Sequence, residues 1–170
     1  MSWEELEQVV AARVLLNAFE TSDRLRELGV PHALVGGLAV GHYGHPRATK
    51  DVDFIVGVEA FVTTAPVMTF REELASVISV GVIDLLAALP DDPLLAAALD
   101  LPQPGAVPIV PLEVLVLMKL RAGRAQDHAD IEHLVRAGMD IIEVSEWFRR
   151  HAPEHLPVFS RLAQQALAQT

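Results

Sequence analysis

Apolar positions fall into three kinds of pattern along the chain. Near the N-terminus, Leu6, Val9, Val10, Leu16, Phe19, Leu25 and Leu28 recur at the spacing of one helix face. Ser2 with Glu5 forms the S-x-x-E box that starts a helix, and Gly29 stops one. The spacing predicts a helix from Trp3 toward Leu28 with this stripe turned inward, broken or re-capped at Thr21-Ser22-Asp23. Two short, dense apolar runs follow, His32 to Val35 and Asp51 to Val56, and both read as strands. Between them lie Gly36-Gly37, a short helix from Leu38 to about His42, and a turn at Gly44-His45-Pro46.

The next stretch reads as a short helix over Val58 to Thr64 and a short strand over Pro66 to Phe70. Ser76 to Leu86, SVISVGVIDLL, is β-branched and apolar and predicts a third strand or a hairpin. Pro93 starts a short helix, and Leu101-Pro-Gln-Pro-Gly is a connector. Beyond Pro111 the period is helical throughout. Helices are predicted over Leu112 to about Ala122, about Gln126 to Ala137, Asp140 to about His151, and Pro157 to Gln169. The expectation is an α+β chain with a core over residues 1–104. Residues 105–170 form a helical region packed on that core, making one compact unit.

Composition narrows the picture. At 170 residues, one domain is the default. Apolar residues make up 51% and aromatics only 5%, so the core should be Leu, Val, Ala and Ile. A net charge of −10 argues against a basic nucleic-acid-binding surface. With no cysteine, disulfides, thiolate metal sites and cysteine nucleophiles are excluded. MSWEELEQVV has neither a basic nor an apolar leader region, and no apolar run reaches the ~20 residues that span a bilayer. A cytoplasmic protein without a membrane partner is expected.

Candidate chemistry concentrates in LVGGLAVGHYGHPRATKDVDFIV, Leu34 to Val56. Asp51 and Asp53 stand two apart beside a strand, so alternation puts both carboxylates on one face. Like charges so placed repel unless a cation sits between them, and oxygen-only ligands suit Mg²⁺ or Mn²⁺. Gly36-Gly37 lets backbone N–H groups approach a bound phosphate. Asp84, an acid inside an apolar run, is the natural third carboxylate and a proton acceptor. Arg47, Thr49 and Lys50 lie between the glycines and the aspartates, where cations can clamp phosphate oxygens. A second cluster, KLRAGRAQDHAD, brings Lys119, Arg121, Arg124, Asp127 and Asp130 together within reach of a triphosphate. His42 and His45 straddle Gly44, and His128 and His133 are five apart, so neither pair has good metal-ligand spacing. Neither a G-x-S-x-G nor a P-loop pattern is present.

These residues resemble the signature of nucleotidyltransferases of the DNA polymerase β superfamily. They are similar in particular to AbiEii-type enzymes, the toxin branch of type IV toxin–antitoxin systems. That family shows Gly-Gly, a short helix and R-x-T-x-D-h-D with h apolar, positions filled here by Gly36, Gly37, Arg47, Thr49, Asp51 and Asp53. Its K-L-x-A-x-R-x-x-D-x-x-D-I pattern is filled by Lys119, Leu120, Ala122, Arg124, Asp127, Asp130 and Ile131. The resemblance covers roughly residues 25 to 137. It implies a nucleotidyltransferase fold, a mixed sheet with helices on one side. It also implies Mg²⁺ or Mn²⁺, a nucleoside triphosphate (ATP or another) as donor, and release of pyrophosphate. Asp51, Asp53 and Asp84 would hold the metals. Gly36-Gly37, Arg47, Thr49, Lys50, Lys119, Arg124 and Asp127 would bind the nucleotide. The acceptor, whether RNA, protein or small molecule, stays open, and a cognate antitoxin is an implied partner. The residues also allow a non-catalytic nucleotide-binding or protein-interaction module on the same fold.

Overall fold

The computed structural model describes residues 2–64, 67–78, 82–101 and 105–169. The expected boundary at residue 104, like most of the proline-rich connector, lies outside the described residues. The chain is α+β, with a small mixed sheet and helices around it.

A short helix α1 (Trp3–Leu6) is capped by Ser2 and Glu5 as predicted. The long helix, however, does not run through to Leu28. It breaks at residues 7–11 and restarts as α2 (Ala12–Glu27). Thr21 and Ser22 lie inside α2 and are buried. The break changes the helical phase. Leu6, Val10 and Leu25 are buried and Phe19 and Leu28 pack against the core, so five of the seven predicted stripe residues turn inward, whereas Val9 and Leu16 are left exposed. Trp3 packs on Phe19 across the break, with ring centroids 4.9 Å apart. Gly29, at φ +66°, ends α2 in the left-handed conformation a β-carbon disfavours.

β1 (His32–Leu34) and β2 (Val52–Val56) pair antiparallel, and β2 pairs in parallel with β5 (Ile83–Ala87). Residues 108–110 add a short parallel bridge outside β1, through Leu34 and Ile109. Between β1 and β2, α3 (Gly36–His42) begins two residues earlier than predicted. The segment predicted as a helix over Val58–Thr64 is a 3₁₀ turn, Val58–Ala60, and then a strand, β3 (Phe61–Thr64). β3 pairs with β4 (Val67–Phe70) in a separate two-stranded hairpin. The predicted third strand over Ser76–Leu86 is split: Ala75–Ile78 form a helix, α4, residues 79–81 lie outside the described residues, and among the described residues the strand is Ile83–Ala87. β-branched composition reports a half-buried site rather than a strand as such, so a short surface helix that buries Val77 reads the same way.

Alternation along β2 divides the core. Val52, Phe54 and Val56 face α1 and α2, with Leu34 and Ile83, in one apolar cluster. Ala33, Val35 and Ile55 face α3 and α6 (Leu112–Ala122) in another, joined by Ala98 of α5 (Pro93–Leu99) and Leu134 of α7 (Ala125–Arg136). Helices therefore cover both faces of the sheet, which corrects the expectation of one. The second cluster also crosses residue 104, tying the helical region to the sheet. A third cluster packs α6 and α7 against α8 (Ile141–His151) and α9 (Leu156–Ala168) around Phe148 and Phe159. No helix among the described residues is long and apolar enough to cross a membrane.

Candidate active site

A cleft of about 660 Å³ opens between the sheet and α6, near the N-terminal ends of β2 and β5. Its floor is acidic. Asp53 and Asp84 are direct neighbours in the parallel β2–β5 register, so their side chains share a face. Asp51 precedes Asp53 by two positions and lines the same cleft. The Asp53 carboxyl titrates above the usual aspartate range, chiefly because it is buried and then because Asp84 and Asp51 are negative nearby. Lys119 and a hydrogen bond from the Gly37 N–H oppose that shift.

The glycine pair is shaped around this acid. Gly36 has φ +65°, and a β-carbon built on it would lie 1.8 Å from Asp53 Oδ2. A β-carbon on Gly37 would approach Thr49 Oγ1 to 3.0 Å. Thr49 in turn donates its hydroxyl to the Asp51 carbonyl at 3.3 Å. Gly36, Gly37, Thr49 and Asp53 are thus packed against one another, with the backbone of Asp51 tied in through Thr49.

The opposite wall is basic, and each cation on it has a carboxylate partner. Asp130, fully buried on α7, is the hub. It accepts from Arg47 through both Nε (3.0 Å) and Nη2 (3.1 Å), from Lys119 Nζ at 2.6 Å and from Gln126 Nε2 at 2.9 Å. Lys119, itself buried, also donates to Asp127 Oδ1 at 3.1 Å. Arg124 reaches Asp127 Oδ2 from Nε at 2.7 Å, but its side chain is 76% exposed. Burial alone would raise the carboxyls of Asp127 and Asp130. Hydrogen bonds from Arg124 and Lys119 at Asp127, and from Arg47 and Lys119 at Asp130, outweigh burial and hold both below the usual range.

Two of the expected residues are not where phosphate binding needs them. Lys50 is exposed and does not line the cleft. Arg121 points away from Lys119, pairs with Asp92 at 2.5 Å and lines a separate groove. Lys50 falls between Thr49 and Asp51, which both line the cleft, so alternation turns it outward, and Lys119 and Arg121, two apart on a helix, face different directions. Conversely, the residue reading underrated Asp130, whose three-residue spacing from Asp127 on a helix was the available signal. It also missed Leu86 and Met118, which give the cleft an apolar flank. Leu86 follows Asp84 by two on β5, the same alternation that groups the aspartates. The histidines pair differently from either sequence grouping: His45 stacks on His133, ring centroids 3.9 Å apart, beside Arg47 and Asp130.

The donor set of the floor suits a hard divalent ion: three carboxylates, oxygen only, with mutual repulsion that a cation would relieve. Among the described residues no three His, Asp or Glu side chains stand close enough to form a finished metal cage. Asp53 instead rests on the Gly37 amide. The chain matches no protein-family model, and no curated protein matches it.

Proposed function

We propose that this cleft moves a nucleoside monophosphate from a nucleoside triphosphate to a hydroxyl acceptor, with Mg²⁺ or Mn²⁺ held by Asp51, Asp53 and Asp84. One observation carries the reading. Asp53 and Asp84 stand in register on adjacent parallel strands, with Asp51 beside them, facing a wall that bears Arg47, Lys119 and Arg124. When bound, the divalent ion supplies charge neutralisation on the phosphate oxygens. Gly36 and Gly37 let the Asp53 and Thr49 side chains sit close against the backbone at the edge of the cleft. Exposed Asp84 accepts the acceptor's hydroxyl proton as its oxygen bonds to the α-phosphorus and the bond to pyrophosphate breaks.

The three cations divide the remaining work. Arg47 and Lys119, anchored on buried Asp130, give a fixed positive field, which costs no reorganisation when charge develops. Arg124, exposed and held only by Asp127, is the one of the three free to turn toward the triphosphate. The AbiEii-like assignment, with a cognate antitoxin, rests on the motif residues alone.

The test is direct. Protein supplied with Mn²⁺ and each α-labelled nucleoside triphosphate should bind nucleotide by calorimetry and release pyrophosphate with candidate RNA, protein or small-molecule acceptors. Asp53→Asn should abolish transfer. Neither binding nor release with any of the four nucleotides would overturn the proposal. A second reading, a nucleotide-binding module without transfer, is favoured by the engagement of Arg47, Lys119 and Arg124 with Asp127 and Asp130. Binding without pyrophosphate release would select it.

A further inference from the structure

The β3–β4 hairpin stands apart from the main sheet. Seven of its eight described strand residues are exposed, and none of the eight is charged. Val62 and Val67 are half exposed, at 50% and 55%. An isolated two-stranded ribbon is marginal in water and normally gains a third strand or a packed face. Here, among the described residues, no third strand is paired to the ribbon and only Phe61 packs on the core, and unpaired edges without a lysine or other charge invite strand addition.

The register identifies the open groups. Arg71 N–H donates to the Ala60 carbonyl, and Val62↔Thr69 and Thr64↔Val67 follow in the same phase. In an antiparallel ladder the intervening residues, Phe61, Thr63, Met68 and Phe70, turn their N–H and C=O outward. The Phe61 N–H is taken by the Val58 carbonyl, whereas no backbone hydrogen bond among the described residues reaches the outer edge of β4 at Met68 and Phe70.

We propose that the outer edge of β4 pairs antiparallel with β4 of a second copy of this chain about a two-fold axis at Thr69. A second copy fits for two reasons. A two-fold strand pair is self-complementary, so the same edge supplies both halves with matched length. It also brings no like charges together, which matters for a chain of net charge −10. Met68 of one copy then lies opposite Phe70 of the other, extending the Phe61–Phe70 ring pair, whose centroids are 4.6 Å apart, into one apolar row. Arg71 falls opposite Val67, and its guanidinium is already held by the carbonyls of Leu28 and Glu59. Four-residue edges bury less than a standard interface, so the dimer is weak and dissociates on dilution.

Sedimentation velocity over a hundredfold concentration range provides the test. The dimer fraction should rise with concentration and also with salt, which screens the repulsion between two acidic copies. Thr69→Lys should abolish it by placing like charges face to face on the axis, and so should Thr69→Glu. An equimolar mixture of the two variants should restore it. Met68→Pro, which removes an outward N–H, should also abolish it, with circular dichroism of each variant reporting retained fold. A chain that stays monomeric at the highest concentration and salt overturns the proposal. So does a dimer that Thr69→Lys leaves intact, or one that the mixture fails to restore.

Discussion

The two walls of the cleft are built on opposite electrostatic principles. The floor gathers Asp51, Asp53 and Asp84, where burial first, and then the charges of Asp84 and Asp51, push the Asp53 carboxyl up. Across from it, Arg47, Lys119 and Arg124 are interleaved with Asp127 and Asp130, and both acids are held down. One wall stores repulsion that an incoming cation would relieve. The other is already satisfied, and it staples the loop carrying Arg47 to α6 and α7. The contrast teaches that acids lining one cleft need not share one setting: those on the floor face other acids, while those on α7 are paired with cations.

The largest expected effect lies on the satisfied wall. Asp130→Ala leaves Lys119 buried with only Asp127 and Arg47 with no acid, and should cost ~3–5 kcal/mol in urea unfolding. A loss below ~1 kcal/mol would break the comparison. Gly36→Ala comes next, at ~1–3 kcal/mol, since the added carbon meets Asp53 and the left-handed backbone is strained. Asp53→Asn should act in the other direction, stabilising the free protein by up to ~1 kcal/mol at neutral pH while abolishing transfer. Arg124→Ala should be the smallest for stability, within ~1 kcal/mol, because its side chain is mostly in water. It should instead weaken nucleotide binding, measured by calorimetry.

The pH dependence sharpens the same contrast. Asp53 binds its proton more tightly folded than unfolded. Its destabilisation is therefore absent below the ordinary aspartate value, grows as pH rises toward the raised native value, and is complete above it. Asp127 and Asp130 run the other way. Their stabilisation is complete above the ordinary value and is lost as pH falls through their lowered native values. Comparing Asp53→Asn with the unaltered protein across the acid range should show the difference vanish as pH falls.

Much of this was legible in the residues. The i, i+2 aspartates, the helix stop at Gly29, both short strands and the C-terminal helices follow from local periodicity and turn chemistry. The alternation that grouped Asp51 with Asp53 also explains Leu86 beside Asp84. What failed needed non-local information. The break at residues 7–11 has no glycine or proline to mark it, and it is set by Leu6 packing onto α3, where a β-carbon on Gly41 would come within 2.8 Å of Leu6 Cδ2. The engagement of Lys119 with Asp127 and Asp130 depends on how α6 turns against α7, which charge spacing alone leaves open.

The contact between Gly36 and Asp53 has a genetic consequence. Because a methyl group on Gly36 collides with the Asp53 carboxylate itself, the two positions form a single mutational unit. A second-site change that partly rescues the folding of Gly36→Ala should be Asp53→Gly, because the Asp53 β-carbon alone would lie 2.9 Å from the added methyl, and it removes the carboxylate from the floor. Selection to keep the carboxylate and selection to relieve the clash would then pull that pair apart.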